Sequence, residues 1–390
     1  MGCNLCRGKP AARMSYPLGE YQYLLISSHV FSIMSIVRCL NNNVHVTFWN
    51  CCSASESDKG GHVDYVAYFS SLGPTYDKRI KPDIVAPGAG LMSAKASKQN
   101  SNVKSCDTTF KQGTSMASPA AAGAAVMLRQ YFQDRERKFW TKTCHPSSDM
   151  FCKPFTPSGM LLKALLIHSG EPMSRYHGDK QNVDLSAKKG KPDVFQGYGR
   201  VQLSNVLPLP GKTDFQLTVR DMVELTEKSS LTHVFEVTDS SQPLVLSLSW
   251  FDPPAVSGAA KALVNDLDLM LRLPNGKGEM LGNLNSGRDT VNNNERIVIK
   301  QPSRGTYKAI VKAQALPVGG RQRFAFVLTY AGSPANVNDL VENQEQQQVL
   351  NEALQGAEAP GAKGLTSQVK MIINEVLGKI HRFFAPNEDK

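Results

Sequence analysis

The sequence has no unbroken run of about 20 mostly apolar residues, the length that a membrane-spanning helix needs. Its nearest approach, Tyr21 to Leu40, is interrupted by His29, Arg38 and several serines and reads poorly as a span. A charged leader, an apolar core and a small-residue cleavage site do not follow one another, so no clean secretory signal is legible. Met1-Gly2-Cys3 hints at N-acylation, but Cys6 stands where that pattern wants Ser or Thr. Basic runs interleaved with aromatics are absent. The formal charge of +10, from 44 Lys and Arg against 34 Asp and Glu, therefore describes a basic surface and not a nucleic-acid-binding face. No paired Cys/His set has metal-ligand spacing, since His145 beside Cys144 has no matching second pair. No internal repeat is visible.

What remains is ordinary globular protein. The 390 residues are 41% hydrophobic and 20% charged, enough for two or three domains with a sizeable core, and disorder of the whole chain is excluded. Among the eight cysteines, Cys144 and Cys152 bracket a polar loop and make the best disulfide candidate, which would imply an oxidising compartment. Two free thiols explain the pair equally well.

The pattern divides the chain. Residues 1–45 form an N-terminal extension outside the recognisable fold. Residues 46–208 read as α/β: short apolar runs such as VDYVAYFSS and PDIVAPG alternate with the helical stretches SPAAAGAAVMLRQYF and GMLLKALLIHSG. Residues 212–331 carry strand after strand with no helix between: FQLTV, THVFEV, LVLSLSWF, LDLMLRL, RIVIKQP, TYKAIVKA and FAFVLTY. Turn signals separate them, which argues a β-sandwich or jelly roll able to fold alone at that size. Trp250 reads as a core aromatic of this region. Residues 332–390 hold an acidic, Gln-rich linker and an amphipathic helix, with Val369, Ile372, Ile373, Val376, Ile380 and Phe383 on one face. That face suits docking on protein better than weak attachment to a membrane.

The stretch Gly113-Thr114-Ser115-Met116-Ala117-Ser118-Pro119 carries the chemistry. It places Ser115 at the start of a helix, where unpaired backbone N–H groups and the helix dipole favour negative charge. Such a position suits an alkoxide nucleophile and an oxyanion on the attacked carbonyl. Pro119 falls near the helix start, where a missing N–H costs least. The run of Ala and Gly from Ala120 to Ala125 would let the helix bury tightly against a sheet. A capped, buried helix without chemistry would use the same residue types.

GTSMASP matches the nucleophile motif of the subtilisin family residue for residue. Phe69-Ser70-Ser71-Leu72-Gly73-Pro74, Lys81-Pro82-Asp83-Ile84-Val85-Ala86-Pro87-Gly88 and Gln196-Gly197-Tyr198-Gly199-Arg200-Val201 are similar to three further family motifs, in the family's order. The chain thus resembles the C-terminal part of a subtilisin-like serine endopeptidase: a partial doubly wound α/β domain followed by an all-β sandwich or jelly-roll domain and a helical tail. The resemblance covers roughly residues 50 to 330 and implies Ser115 as nucleophile, with its own N–H in the oxyanion hole, acting on protein or peptide substrates. It also implies a secretory or extracellular location.

The family order is Asp, His, then Ser over roughly 190 residues. Only 114 residues precede Ser115 here, and neither Asp-Ser/Thr-Gly nor His-Gly-Thr-His occurs. His29, His45 and His62 lack the family context, and His168 and His177 follow the Ser. Asn50, at oxyanion-hole spacing, sits in TFWNCCSA, which lacks the family's Ser-Ala-Gly-Asn. The expectation is an endopeptidase whose isolated 390-residue chain is inactive; at family spacing its Asp and His would lie before Met1. The alternative is a non-catalytic binding or scaffolding protein that uses the β-sandwich. No cofactor is assigned. Calcium is possible at Asp266 and Asp268, with oxygens from Asn292, Asn293 and Asn294, since related domains often hold it. A polar strand edge explains the same residues.

Overall fold

The computed structural model describes residues 64–95, 108–134, 154–177, 182–186, 190–208, 215–276, 278–333 and 340–342. All eight cysteines, residues 1–63 and the C-terminal amphipathic stretch lie outside them.

The strand-rich half forms two antiparallel sheets. One runs β11 (Asn294–Ile299), β8 (Leu244–Trp250), β13 (Arg321–Tyr330), β6 (Gln216–Thr226). The other runs β10 (Glu279–Leu281), β9 (Asp266–Arg272), β12 (Gly305–Ala315), β7 (Ser230–Val237), β14 (Gly332–Ser333), with β15 (Leu340–Glu342) also on β7. Every long run of β-branched and apolar residues in the sequence became one of these strands. Side chains from both sheets meet in one core that includes Phe235, Leu246, Leu248, Trp250, Leu269, Tyr307, Phe324 and Phe326. Trp250 is fully buried and its indole N–H donates to the Asn265 carbonyl at 2.9 Å. The turn between β12 and β13 holds Gly319 at φ 76° and Gly320 at φ 62°, a left-handed pair that residues with a Cβ adopt at a cost.

The four-stranded sheet is buried on its other face as well. There, Leu217, Val219, Ala325 and Val327 pack against α1 (Thr114–Gln133) and α2 (Gly159–His168) through Leu128, Tyr131, Phe132, Leu161 and Leu165. This is why β8 and β13 read as near-continuous apolar runs and not as alternating ones. The strand-rich half thus has a core of its own between the two sheets, and a second core joins its four-stranded sheet to the two helices.

A small sheet completes the architecture. β1 (Tyr65–Val66) pairs parallel with β4 (Arg175–His177), which pairs antiparallel with β5 (Asn182–Asp184). The hairpin of β2 (Leu91–Ala94) and β3 (Thr108–Lys111) leads into α1. The described residues thus comprise a mixed α/β part and a β-rich part.

α2 starts on a side-chain cap. Ser158 Oγ accepts the Leu161 N–H at 3.1 Å, while the Asp221 carboxylate, from β6, accepts the Ser158 N–H at 2.8 Å and hydroxyl at 2.5 Å. Ser158→Ala removes the cap and leaves Asp221 short of a donor. The expected cost is about 1–2 kcal/mol of unfolding free energy in urea titration.

Candidate active site

Ser115 lies in the first turn of α1 and is exposed. The turn begins at Gly113, whose φ of 146° and ψ of 166° suit glycine, and no side chain caps the helix. Gly113 N–H donates to the Gly88 carbonyl at 2.8 Å, and the Gly113 carbonyl accepts from Met116 and Ala117. Thr114 and Ser115 N–H groups make no backbone hydrogen bond among the described residues. They are the unpaired donors of a helix start, beside the exposed hydroxyl.

Gly88 explains why the loop can lie so close. A Cβ there would sit 2.9 Å from the Gly113 oxygen and 3.1 Å from the Ala117 Cβ. The loop is in turn held by the segment around Tyr198. Val85 forms a parallel bridge with Arg200, Val85 N–H donates to Gly199, and Tyr198 N–H donates to Asp83. Gly197 tolerates no Cβ, which would fall within 2.0 Å of the Pro82 oxygen. Three of the sequence motifs thus form one packed unit that fixes the start of α1.

Two details differ from the sequence reading. Pro119 is the sixth residue of α1 and not in its first turn, so it removes the hydrogen bond that would reach the Ser115 carbonyl. The small-residue stretch is not tightly covered either. Only Ala124, Leu128, Tyr131 and Phe132 of α1 are buried, and Ser118, Pro119, Ala122 and Val126 are exposed. Among the described residues, only the second half of α1 has a sheet to pack on.

Asp266 and Asp268 sit side by side on β9, as their spacing implies, but a guanidinium and not a set of amides faces them. Arg288 donates from Nη2 to Asp266 at 2.8 Å and from Nε to Asp268 at 2.6 Å. The Asn trio turns elsewhere. Asn292 accepts the Ile80 N–H and donates to Asp289, Asn293 donates to the Trp250 carbonyl, and Asn294 lies 2.8 Å from Ser249 Oγ. The buried Glu295, which accepts the Leu269 N–H at 2.7 Å, is the third carboxylate here. Of the two readings open from the sequence, the described side chains resemble the polar strand edge: these asparagines satisfy backbone and side-chain groups, and Arg288 supplies the positive charge. Among the described residues no cluster of three or more His, Cys, Asp or Glu has metal-holding geometry.

Burial, reinforced by the neighbouring Asp268, raises the Asp266 pKa to about 6. Burial also raises Asp268, and raises Glu295 well above the usual carboxylate range. A group bound more tightly by its proton in the folded than in the unfolded state contributes stability at low pH that is lost as pH rises. For Asp266 that window lies between the ordinary 3.8 and about 6. Asp266→Asn is thus expected to gain melting temperature relative to the parent chain as pH rises from about 4 to about 7. A difference between the two that stays flat across this range in thermal melts would overturn the assignment.

Residues 28–199 match the profile of the subtilase family. Together with the four ordered motifs and the relatives below, this decides the family. The chain is a subtilase.

The match begins at residue 28, within the extension that the motifs alone assigned to residues 1–45. Among curated relatives, this subtilase is 31% identical over 311 residues to the serine protease/ABC transporter B family protein tagB of Dictyostelium discoideum, covering 66% of this chain and 16% of that one. It is 29% identical over 318 residues to tagD of the same organism, covering 67% of this chain and 17% of that one. It is 38% identical over 178 residues to the PII-type proteinase of Lacticaseibacillus paracasei, covering 45% of this chain and 8% of that one. The chain therefore spans well under a fifth of these relatives, and its similarity to them is protease-like.

The subtilase's other candidate groups are placed as follows. His29, His45, His62 and Asn50 lie outside the described residues. His168 is buried in the interface of α2 with the sheet, Nδ1 3.1 Å from Ser247 Oγ and Nε2 2.8 Å from Thr329 Oγ1. Burial, with the nearby Arg296 charge, holds its pKa well below the usual imidazole range, so it is a neutral packing residue. Sequence reasoning missed Arg288 and Glu295 as the partners of the Asp pair, and it missed Arg296. Glu295 and Arg296 follow directly on the Asn trio, and their charge at the head of the strand run ERIVIKQP is the one available signal.

Proposed function

We propose that this subtilase is a serine endopeptidase in which Ser115 is the nucleophile. The observation that carries the reading is an exposed Ser115 in the first turn of α1, with its own N–H without a backbone acceptor among the described residues and the chain at Gly88 and Gly113 held close by. In the reaction, Ser115 Oγ attacks the scissile carbonyl of a protein or peptide, and the Ser115 N–H donates to the developing oxyanion. The hydroxyl proton passes to a histidine that an aspartate orients. The family motifs for both are absent from the 390 residues, so the isolated chain is proposed to be inactive. Removing one triad member leaves about 10³- to 10⁴-fold catalysis over water even in an otherwise intact site. The two-sheet region, proposed as a jelly roll over residues 212–331, supports α1 and α2 from behind. Residues 332–390 are proposed as a linker and a docking helix.

The experiment reads the transcript through the codons before Met1, expresses the continuous frame, and treats it with a fluorophosphonate probe. Label on Ser115, found by mass spectrometry and lost on denaturation, supports the endopeptidase. A message that starts at Met1, with a product that takes no label, moves the function to binding by the two-sheet region.

A further inference from the structure

A cavity of about 300 Å³ opens where the loop at Lys78 and Ile80 and the segment Lys191–Pro192 meet the turn 283–292 of the β-rich part. The strongest acceptors in its walls are already used, while its cations keep free donors. Asp289 is the one carboxylate in the lining, and its two oxygens already accept five hydrogen bonds, from the Val291 and Asn292 N–H groups and from the Asn283, Asn285 and Asn292 side chains. Asn292 Oδ1 is taken by the Ile80 N–H. By contrast, the ammonium groups of Lys78 and Lys191 form no ion pair or hydrogen bond among the described residues, and both side chains are exposed at the mouth. Arg288 uses Nε and Nη2 on the Asp pair behind it and keeps Nη1. Lys78 is held at φ 69°, in the left-handed region that a residue with a Cβ rarely adopts. The loop that carries it is pinned, because Asp77 bonds Thr75 and Arg79 and accepts the Ala262 N–H at 3.0 Å.

A lining rich in free cationic donors and poor in free acceptors fits a ligand that only accepts. We propose that this cavity binds a small oxyanion, a phosphate or a carboxylate, bridging Lys78 and Lys191 across the junction of the two parts of the chain. The site is independent of the chemistry at Ser115. Its test is calorimetric titration of the 390-residue chain with inorganic phosphate and, separately, with succinate, at constant ionic strength. Saturable one-to-one binding of either anion is expected, weakened about tenfold or more in the double variant Lys78→Gln, Lys191→Gln. The double variant Lys300→Gln, Lys308→Gln, exposed just after β11 and on β12 and outside the cavity lining, is expected to bind as the parent does. Phosphate alone or succinate alone saturating identifies which oxyanion the cavity takes. The proposal fails if neither anion saturates below about 10 mM, if both lysine pairs matter equally, or if the Lys78 and Lys191 double variant binds unchanged.

Discussion

Ser115→Ala, made in a frame that also carries the Asp and His motifs, is expected to lower kcat by about 10⁴- to 10⁶-fold, with little change in KM. The reasoning is that the hydroxyl forms the bond that turns over, while substrate is held by other groups. The same substitution in the isolated 390-residue chain is expected to change almost nothing. Without a base, the hydroxyl is protonated at neutral pH and attacks poorly. The pair of measurements, steady-state peptide hydrolysis with and without the upstream residues, separates a nucleophile from a helix-capping serine. A capping serine would change stability and leave kcat within a fewfold. Ser115-dependent cleavage by the isolated chain at ordinary enzyme rates would sink the account, because it would require a base among the 390 residues.

Arg296→Met is expected to cost about 3–5 kcal/mol of unfolding free energy, measured by urea denaturation. Arg296 is buried on β11 and reaches across to the helical part of the chain. Nη1 donates to the Ile167 carbonyl at 2.8 Å and to Gly170 at 3.0 Å, and Nη2 donates to Gly190 at 3.3 Å. Its guanidinium also lies 5.3 Å from the centre of the Tyr198 ring. Burial lowers its pKa to about 10, which still leaves it charged at neutral pH. The positive fork therefore closes the C-terminal end of α2, where carbonyls lack intrahelical donors. Methionine keeps the length and leaves the buried Gly170 and Gly190 carbonyls without this donor, while the Ile167 carbonyl keeps the Gly170 N–H. Arg296→Lys is expected to recover less than half of the loss, because one ammonium does not reproduce a planar fork. A loss under about 1 kcal/mol for the methionine variant would mean that those carbonyls find other donors.

The sequence was most legible where one physical signal acted alone. The strands of the β-rich part follow from runs such as LVLSLSW and FAFVLTY, and both helices fall where periodicity places them. GTSMASP likewise gave the position of Ser115 at the start of a helix. The reading weakened where long-range partners decide. Asp266 and Asp268 gave the spacing of a cation site, but spacing does not reveal that Arg288, 22 and 20 residues away, would fill it. Ser247 and Ser249 are polar residues on β8, and both are fully buried against the helical side. Pattern along one strand reports which residues are apolar and not how many faces are covered.

The four-stranded sheet is covered by α1 and α2 over much of its outer face, and this limits how the protein can be rearranged. The Pro-rich break near residue 210 is a punctuation mark in the chain and not a seam in its interior. A recombination event at that point would part β6 and β13 from α1 and α2, and would hand each daughter an oily surface that its ancestor never showed to solvent. Lineages that carry these strands are therefore expected to inherit the two helices with them, whether or not Ser115 still cuts anything.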